Sequence, residues 1–221
     1  MEHVIAGADD GYFETRLSHD PKRTVVWTTL WEEVFTKFIQ PSDTVVELGA
    51  GWCDFINAVK CERRIAVDLW PGVTKAAAPG VETHVGRAQD LAFIPDASVD
   101  AVFASNLLEH LERADVEALV RESQRILRPG GRFMILQPNF RLCSKRYFDD
   151  YTHVSIWTDV GLSEFLEAMG LELVTVRPRF LPFSLKSRLP VSKLLIRAYL
   201  RSPLKPAAGQ MLVVARRPLA S

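Results

Sequence analysis

No apolar run among the 221 residues approaches the roughly 20 that a membrane-spanning helix needs, so no spanning segment is expected. Cysteine is scarce and unpaired in pattern: Cys53, Cys61 and Cys143 are odd in number and lack zinc-type spacing, and the five histidines include no HxxxH pair. A reducing cytoplasm and no protein-bound metal are the expectations. Met1 to Phe13 carries Glu2, Asp9 and Asp10 without the basic-then-apolar order of a secretory signal. Acid is missing from the other end. Leu173 to Ser221 holds ten basic residues and no acidic one, which leaves 17 basic against all 27 acidic residues before it, within a net charge of zero. Two expectations stay open: the basic segment meets something anionic, or it is matched by the acidic body of the same chain. The basic residues lack interleaved aromatics and no D/N-P-P-Y motif is present, so a nucleic-acid acceptor is disfavoured.

What is there is ordinary for a globular domain: 48% hydrophobic and 24% charged residues in a chain long enough to bury one core. Strand-like stretches at Thr44–Leu48, Arg64–Leu69, Val81–Val85, Val99–Ser105, Phe133–Gln137, Leu171–Val176 and Met211–Ala215 are separated by helical patterns. Asp20-Pro21 reads as a helix start before Trp27, Leu30, Trp31, Val34 and Phe38. Val116, Leu119, Val120, Ser123 and Leu127 form a second face, stopped by Arg128-Pro129-Gly130-Gly131; Thr158 to Met169, ended by Gly170, is a third. Alternation of this kind predicts an α/β fold: a doubly wound, mostly parallel, seven-stranded sheet with flanking helices, and ligands beyond the carboxyl ends of the strands. The chain reads as a single domain over 1–221, with an N-terminal helical cap over 1–40 and a basic amphipathic insertion over 178–210.

The segment TVVELGAGWCDF, Thr44 to Phe55, runs a hydrophobic strand into a carboxylate and two glycines. Glycines after a first strand let backbone approach a ligand. The dinucleotide pattern G-x-G-x-x-G would need a glycine where Asp54 stands, and an acid at that helix start would repel a pyrophosphate. A cofactor with a cationic amino-acid end and no phosphate suits Glu47 and Asp54 better. S-adenosyl-L-methionine has those properties.

Glu47-Leu48-Gly49-Ala50-Gly51 resembles the first motif of the class I (Rossmann-like) S-adenosylmethionine-dependent methyltransferases, E/D-x-G-x-G-x-G, with Asp68 placed 21 residues after Glu47. GRAQDLAFIPDASVDAVFASNLLEHL resembles the stretch from the adenine loop through the fourth strand, and RILRPGGRFMILQPN the helix, turn and fifth strand; the wording is closest to the type 11 branch. The resemblance covers Thr44 to Asn139. It implies cofactor contacts at Glu47, Gly49, Ala50, Gly51 and Trp52, a ribose-binding carboxylate at Asp68 beside Leu69, adenine contacts around Ala88, Gln89 and Asp90, and a methionine end lined by Ser105, Asn106 and Leu107. Two positions depart from the pattern: Cys53 replaces the third glycine, and Arg87 stands where the adenine loop has an acid.

Acceptor residues are expected after the fifth strand, in NFRLCSKRYFDDYTHVSIW. His153 is the candidate base, with Asp150 to orient its ring and Tyr147 beside it; a backbone-bonded loop histidine is the plainer alternative. His110 reads as a capping or packing residue, Cys143 as a bystander and Asp100 as structural. In the insertion, Val191, Leu194, Leu195, Ala198 and Tyr199 share one helical face, and Lys193, Arg197 and Arg201 another. That pattern suits peripheral membrane contact, a wall for an anionic acceptor, or a packed lid with a solvated basic face. The expected function is methyl transfer to an O or N atom of a small molecule, such as a sugar, nucleotide-sugar or lipid-linked glycan intermediate. A non-catalytic cofactor-binding or assembly subunit is the alternative from another class, and oligomeric state is left open.

Overall fold

A computed structural model describes residues 20–183 and 191–219. Seven strands form one sheet in the order β3-β2-β1-β4-β5-β7-β6: β1 (Thr44–Leu48), β2 (Arg63–Asp68), β3 (Val81–Val85), β4 (Val99–Ser105), β5 (Leu127–Pro138), β6 (Glu172–Pro182) and β7 (Ala208–Arg216). The first five run parallel, and β7 lies antiparallel between β5 and β6. The helices are α1 (Lys22–Glu33), α2 (Asp54–Ala58), α3 (Val73–Ala76), α4 (Arg113–Ile126), α5 (Phe140–Tyr147), α6 (Asp159–Ala168) and α7 (Lys193–Arg201). The strand order reverses between β1 and β4, and that junction opens a crevice beyond their carboxyl ends.

Alternation along each strand divides the core in two. Val46, Leu48, Ile65, Val67, Val102 and Ala104 face Val116, Leu119 and Leu162 from α4 and α6. Val45, Ala66, Ala101 and Phe103 face Trp27, Leu30 and Trp31 of α1. Both faces are covered, which is why these strands read as continuous apolar runs. Each fully buried Leu or Phe contributes about 1.5–3 kcal/mol. Phe55 stacks on Phe103 at 3.8 Å, and Trp27 and Phe35 meet both rings edge-on. The aromatic cluster fixes α1 against α2, at the mouth of the crevice.

Element ends follow local chemistry. Lys22 N–H donates to Asp20 Oδ1 at the start of α1, Thr158 caps α6 by accepting from Gly161 N–H, and Gly170 follows with φ +87°. Three strand boundaries differ from expectation by more than one residue. β5 begins at Leu127, so Arg128-Pro129-Gly130-Gly131 is a bulged strand entry, where pairing to β4 shifts between Val99/Ala101 and Gly130 takes φ +79°. β6 extends to Pro182 and β7 starts at Ala208, because the two keep pairing across register shifts, so the expected insertion at 178–210 is shorter at both ends. Residues 1–19 of the N-terminal cap, and Lys186 and Arg188 of the insertion, lie outside the described residues.

The basic stripe of α7 is spent inside the molecule. Lys193 Nζ lies 2.7 Å from Glu32, Arg197 2.9 Å from both Glu32 and Glu33, and Arg201 2.9 Å from Glu33. Lys193, by its hydrogen bond, holds the Glu32 carboxyl below the ordinary range. Arg216 pairs with Glu172, and Arg217 donates to the carbonyls of Gln124, Arg125 and Leu127, where α4 runs into β5. With the stripe docked on α1, the helix rotates from its expected packing: Ile196, Tyr199 and Leu200 pack on the core, while Leu194 and Leu195 face out. Changing Lys193, Arg197 and Arg201 together to Gln should lower thermal stability, each exposed pair contributing about 0.2–1 kcal/mol. Sedimentation with anionic vesicles should not change; salt-sensitive vesicle binding that vanished in the triple variant would restore the membrane reading of the stripe.

Candidate cofactor and acceptor site

The loop after β1 coils tightly at the crevice. Gly49, Gly51 and Cys53 all take left-handed backbone, with φ of +67°, +48° and +57°. A Cβ on Gly49 would stand 2.9 Å from Leu107 Cδ1, so the loop lies close against the residues that follow β4, and the φ of +67° is what favours glycine there. Cys53 therefore keeps the backbone conformation of the glycine it replaces, at a cost of about 1–2 kcal/mol, and its side chain is buried at the start of α2. Burial, followed by the charges of Glu47, Asp68 and Asp54, pushes its thiol well above the usual range and keeps it inert. Gly49→Ala should destabilise the fold by about 1–2 kcal/mol from backbone strain alone, read by thermal unfolding. Leu107→Ala added to it should relieve the collision but not the strain.

Four carboxylates organise this region. Glu47 Oε2 accepts from Ile56 N–H at 3.0 Å, which ties β1 to the first turn of α2. Burial, opposed by that bond, leaves its pKa well above the ordinary value. Asp68 accepts from Gly51 N–H and Trp70 N–H, each at 2.7 Å, one on each oxygen. Burial raises the Asp68 pKa, and the two backbone donors oppose the rise. Asp54 pairs with Arg23 of α1 at 2.5 Å. Asp115, at the start of α4, takes bonds from both Arg87 and Gln89 at 2.9 Å. Arg87, at the position where the resemblance has an acid, is thus paired with one from α4. Ala88 is buried, Asp90 is exposed, and Leu69 is half-buried beside Asp68. Trp52 and Trp70 meet edge-on at 4.7 Å over the same end of the sheet. At the end of β4, Asn106 donates to Ser105 Oγ and accepts from Gln210 Nε2, joining β4 to the start of β7.

Directly after β4, the turn Leu108–His110 meets the segment 147–157. Tyr147 is fully buried and donates to Ser155 O at 2.7 Å; burial raises its hydroxyl pKa. Its ring lies 4.5 Å from that of His153, and His153 lies 4.9 Å from His110. Asp150 Oδ1 accepts from Thr152 N–H at 3.1 Å and from its hydroxyl at 2.6 Å, and Thr152 Oγ1 is 2.9 Å from His110 Nδ1. The carboxylate expected to orient His153 is therefore linked, through Thr152, to His110. Burial, then the neighbouring His153, pushes His110 down to about 4. Glu109 was not singled out by sequence. It is 1% exposed, and burial, with Asp150 adding to it, pushes its carboxyl up to about 8. Its backbone carbonyl accepts from Val154 and Ser155 N–H, so this turn holds the end of the segment 147–157. The signal was the pair Glu109-His110 at a strand's carboxyl end, hidden by the apolar residues around it. Tyr151 is exposed, and Cys143 is buried against Asn139 O.

Residues 46–135 match the family model of the methyltransferase domain, type 11. That match covers 90 of the 221 residues, and the seven-stranded sheet it lies in has the class I, Rossmann-like fold. A Caulobacter sp. (strain K31) ubiquinone/menaquinone biosynthesis C-methyltransferase is 39% identical over 141 residues, 53% of this chain and 55% of its own. A Mycolicibacterium smegmatis protein described as "Probable S-adenosylmethionine-dependent methyltransferase" is 42% identical over 102 residues, 45% of this chain and 38% of its own. The matches thus span about half or less of these curated relatives. Among solved structures, a SAM-dependent methyltransferase from Archaeoglobus fulgidus superposes with a TM-score of 0.68 at 19% identity, over 94% of this chain and 98% of its own. A complex of the Haloferax volcanii Trm112 methyltransferase activator with a methyltransferase gives 0.68 at 19%, over 89% and 91%.

The cofactor of such domains is S-adenosyl-L-methionine, and the residues present here fit it. The left-handed turns at Gly49 and Gly51 coil the loop at the carboxyl end of β1, with Gly51 N–H turned onto Asp68. Each Asp68 oxygen keeps an acceptor site beyond its backbone bond, which suits a cis-diol. Asp54 and Asp68 beside the loop are favourable to a cationic ligand and unfavourable to a diphosphate.

Proposed function

We propose that this chain is an S-adenosylmethionine-dependent methyltransferase acting on a small-molecule acceptor. The observation that supports it most is the 2.7 Å bond from Gly51 N–H to Asp68 Oδ2, which holds the glycine loop against the carboxylate at the end of β2. When bound, the cofactor supplies a methyl group on a positive sulfonium, already an electrophile. The protein's part is positioning and exclusion of water. Asp68 and the loop 49–53 orient the cofactor, Ser105, Asn106 and Leu107 line the end where the methyl leaves, and the segment 147–157 closes the acceptor side. His153 takes the acceptor proton where the acceptor is a hydroxyl or a protonated amine. Residues 1–221 act as one domain.

The acceptor atom is an O or N of a sugar, nucleotide-sugar or lipid-linked glycan intermediate in this reading. A carbon acceptor is a second one, favoured by the C-methyltransferase description of the Caulobacter relative. The purified protein should be incubated with methyl-labelled S-adenosylmethionine and either nucleotide sugars, glycan phosphates or a demethylated quinol. Formation of S-adenosylhomocysteine, with a product one methyl heavier, identifies the acceptor class. Cofactor binding with no turnover on any panel would favour the non-catalytic subunit instead.

A further inference from the structure

Among the described residues one group could hold a metal ion: Glu109, His110 and His153, whose ligating atoms all lie within 4.8 Å of one another. Two of the three, Glu109 and His153, are buried, and both Glu109 oxygens are shielded from solvent with no hydrogen-bond partner among the described residues. A buried carboxyl without donors is costly, of the order of 1–3 kcal/mol or more, and calls for a compensating ligand. The surroundings of His110 point the same way. Thr152 gives its hydroxyl proton to Asp150, so toward His110 Nδ1 both Thr152 Oγ1, at 2.9 Å, and Thr152 O, at 3.3 Å, act as acceptors. The Nδ1 atom must then carry the proton, and the lone pair sits on Nε2. Metal-binding histidines are commonly set by such a carboxylate-backed bond on the other ring nitrogen.

We propose that Glu109, His110 and His153 form a three-ligand site for a divalent first-row transition metal, of the zinc, cobalt, iron or manganese kind. Two imidazoles and one carboxylate match that class and not magnesium or calcium, which prefer all-oxygen sites. Donors around tetrahedral zinc stand about 3.4 Å apart, so the cluster needs only a small contraction of side chains. Three protein ligands leave a coordination position open, the arrangement of a catalytic rather than a closed structural site. Lying after β4 and beside the segment 147–157, that open position would take an acceptor oxygen and favour its deprotonated form, and with metal bound this replaces His153 as the base. The role toward an acceptor rests on the methyltransferase reading; the metal binding does not.

The test uses the full chain, stripped with chelator and titrated with cobalt(II), reading visible d–d absorption and competition by zinc. The wild type should bind stoichiometrically with a low-coordinate cobalt spectrum. Glu109→Gln, close in size to the native residue, and His153→Ala should each weaken binding about 100-fold or more, and Thr152→Ala about 10-fold through the outer partner. Circular dichroism checks that each variant is folded, and an S-adenosylhomocysteine titration runs on the same samples. No cobalt spectrum in the wild type, or wild-type affinity in folded Glu109→Gln or His153→Ala, would overturn the site. Cobalt binding without S-adenosylhomocysteine binding would count against the methyltransferase reading and leave the metal site standing; the reverse result would sink the metal site alone.

Discussion

Replacing His153 by alanine should lower turnover about 100-fold or more, the scale of a general base or of a lost acceptor-side ligand. S-adenosylhomocysteine affinity should barely move, because His153 packs against Tyr147 and His110 on the acceptor side and not against the loop 49–53. Rescue separates the two causes. Added imidazole restoring part of the rate identifies a base, whereas saturating divalent metal restoring it identifies a ligand. An unchanged rate would leave positioning as the whole mechanism and point to an acceptor that needs no deprotonation.

Asp68→Ala should weaken S-adenosylhomocysteine binding by about 1.5–3 kcal/mol, or about 10- to 150-fold, the usual range for losing hydrogen bonds to a charged group. Part of that loss is indirect. The carboxylate also holds Gly51 N–H and Trp70 N–H, so the loop and the Trp52–Trp70 pair loosen with it. Asp68→Asn keeps one acceptor oxygen and should lose less. Calorimetry on the three proteins checks the order, and indifference to Asp68→Ala would remove the ribose assignment.

The sheet was legible because its strands are short apolar runs between helical patterns, and three of the seven strands, at Thr44, Val81 and Val99, begin and end where the sequence places them. The β6–β7 pair was harder to bound. Its ends are set by cross-strand bonding between residues some 30 apart, a contact that local pattern does not carry. Glycine spacing exposed the cofactor loop, but not that Cys53 would hold a left-handed conformation, which depends on burial against α3. The basic stripe of α7 was visible as charge at helical spacing. Its partners, Glu32 and Glu33, lie some 160 residues earlier, and only the docking of α1 joins them. Glu109 was hidden because it stands among leucines with no motif to single it out, and only the fold buries it.

The claim that Gly49, Gly51 and Asp68 hold S-adenosylmethionine is tested most directly by titrating the wild-type protein with S-adenosylhomocysteine and, separately, with NAD. The account predicts micromolar-range binding of S-adenosylhomocysteine, about −8 kcal/mol, and no heat from NAD, whose pyrophosphate would face Asp54 at the start of α2. Tight NAD binding with none of S-adenosylhomocysteine would contradict it.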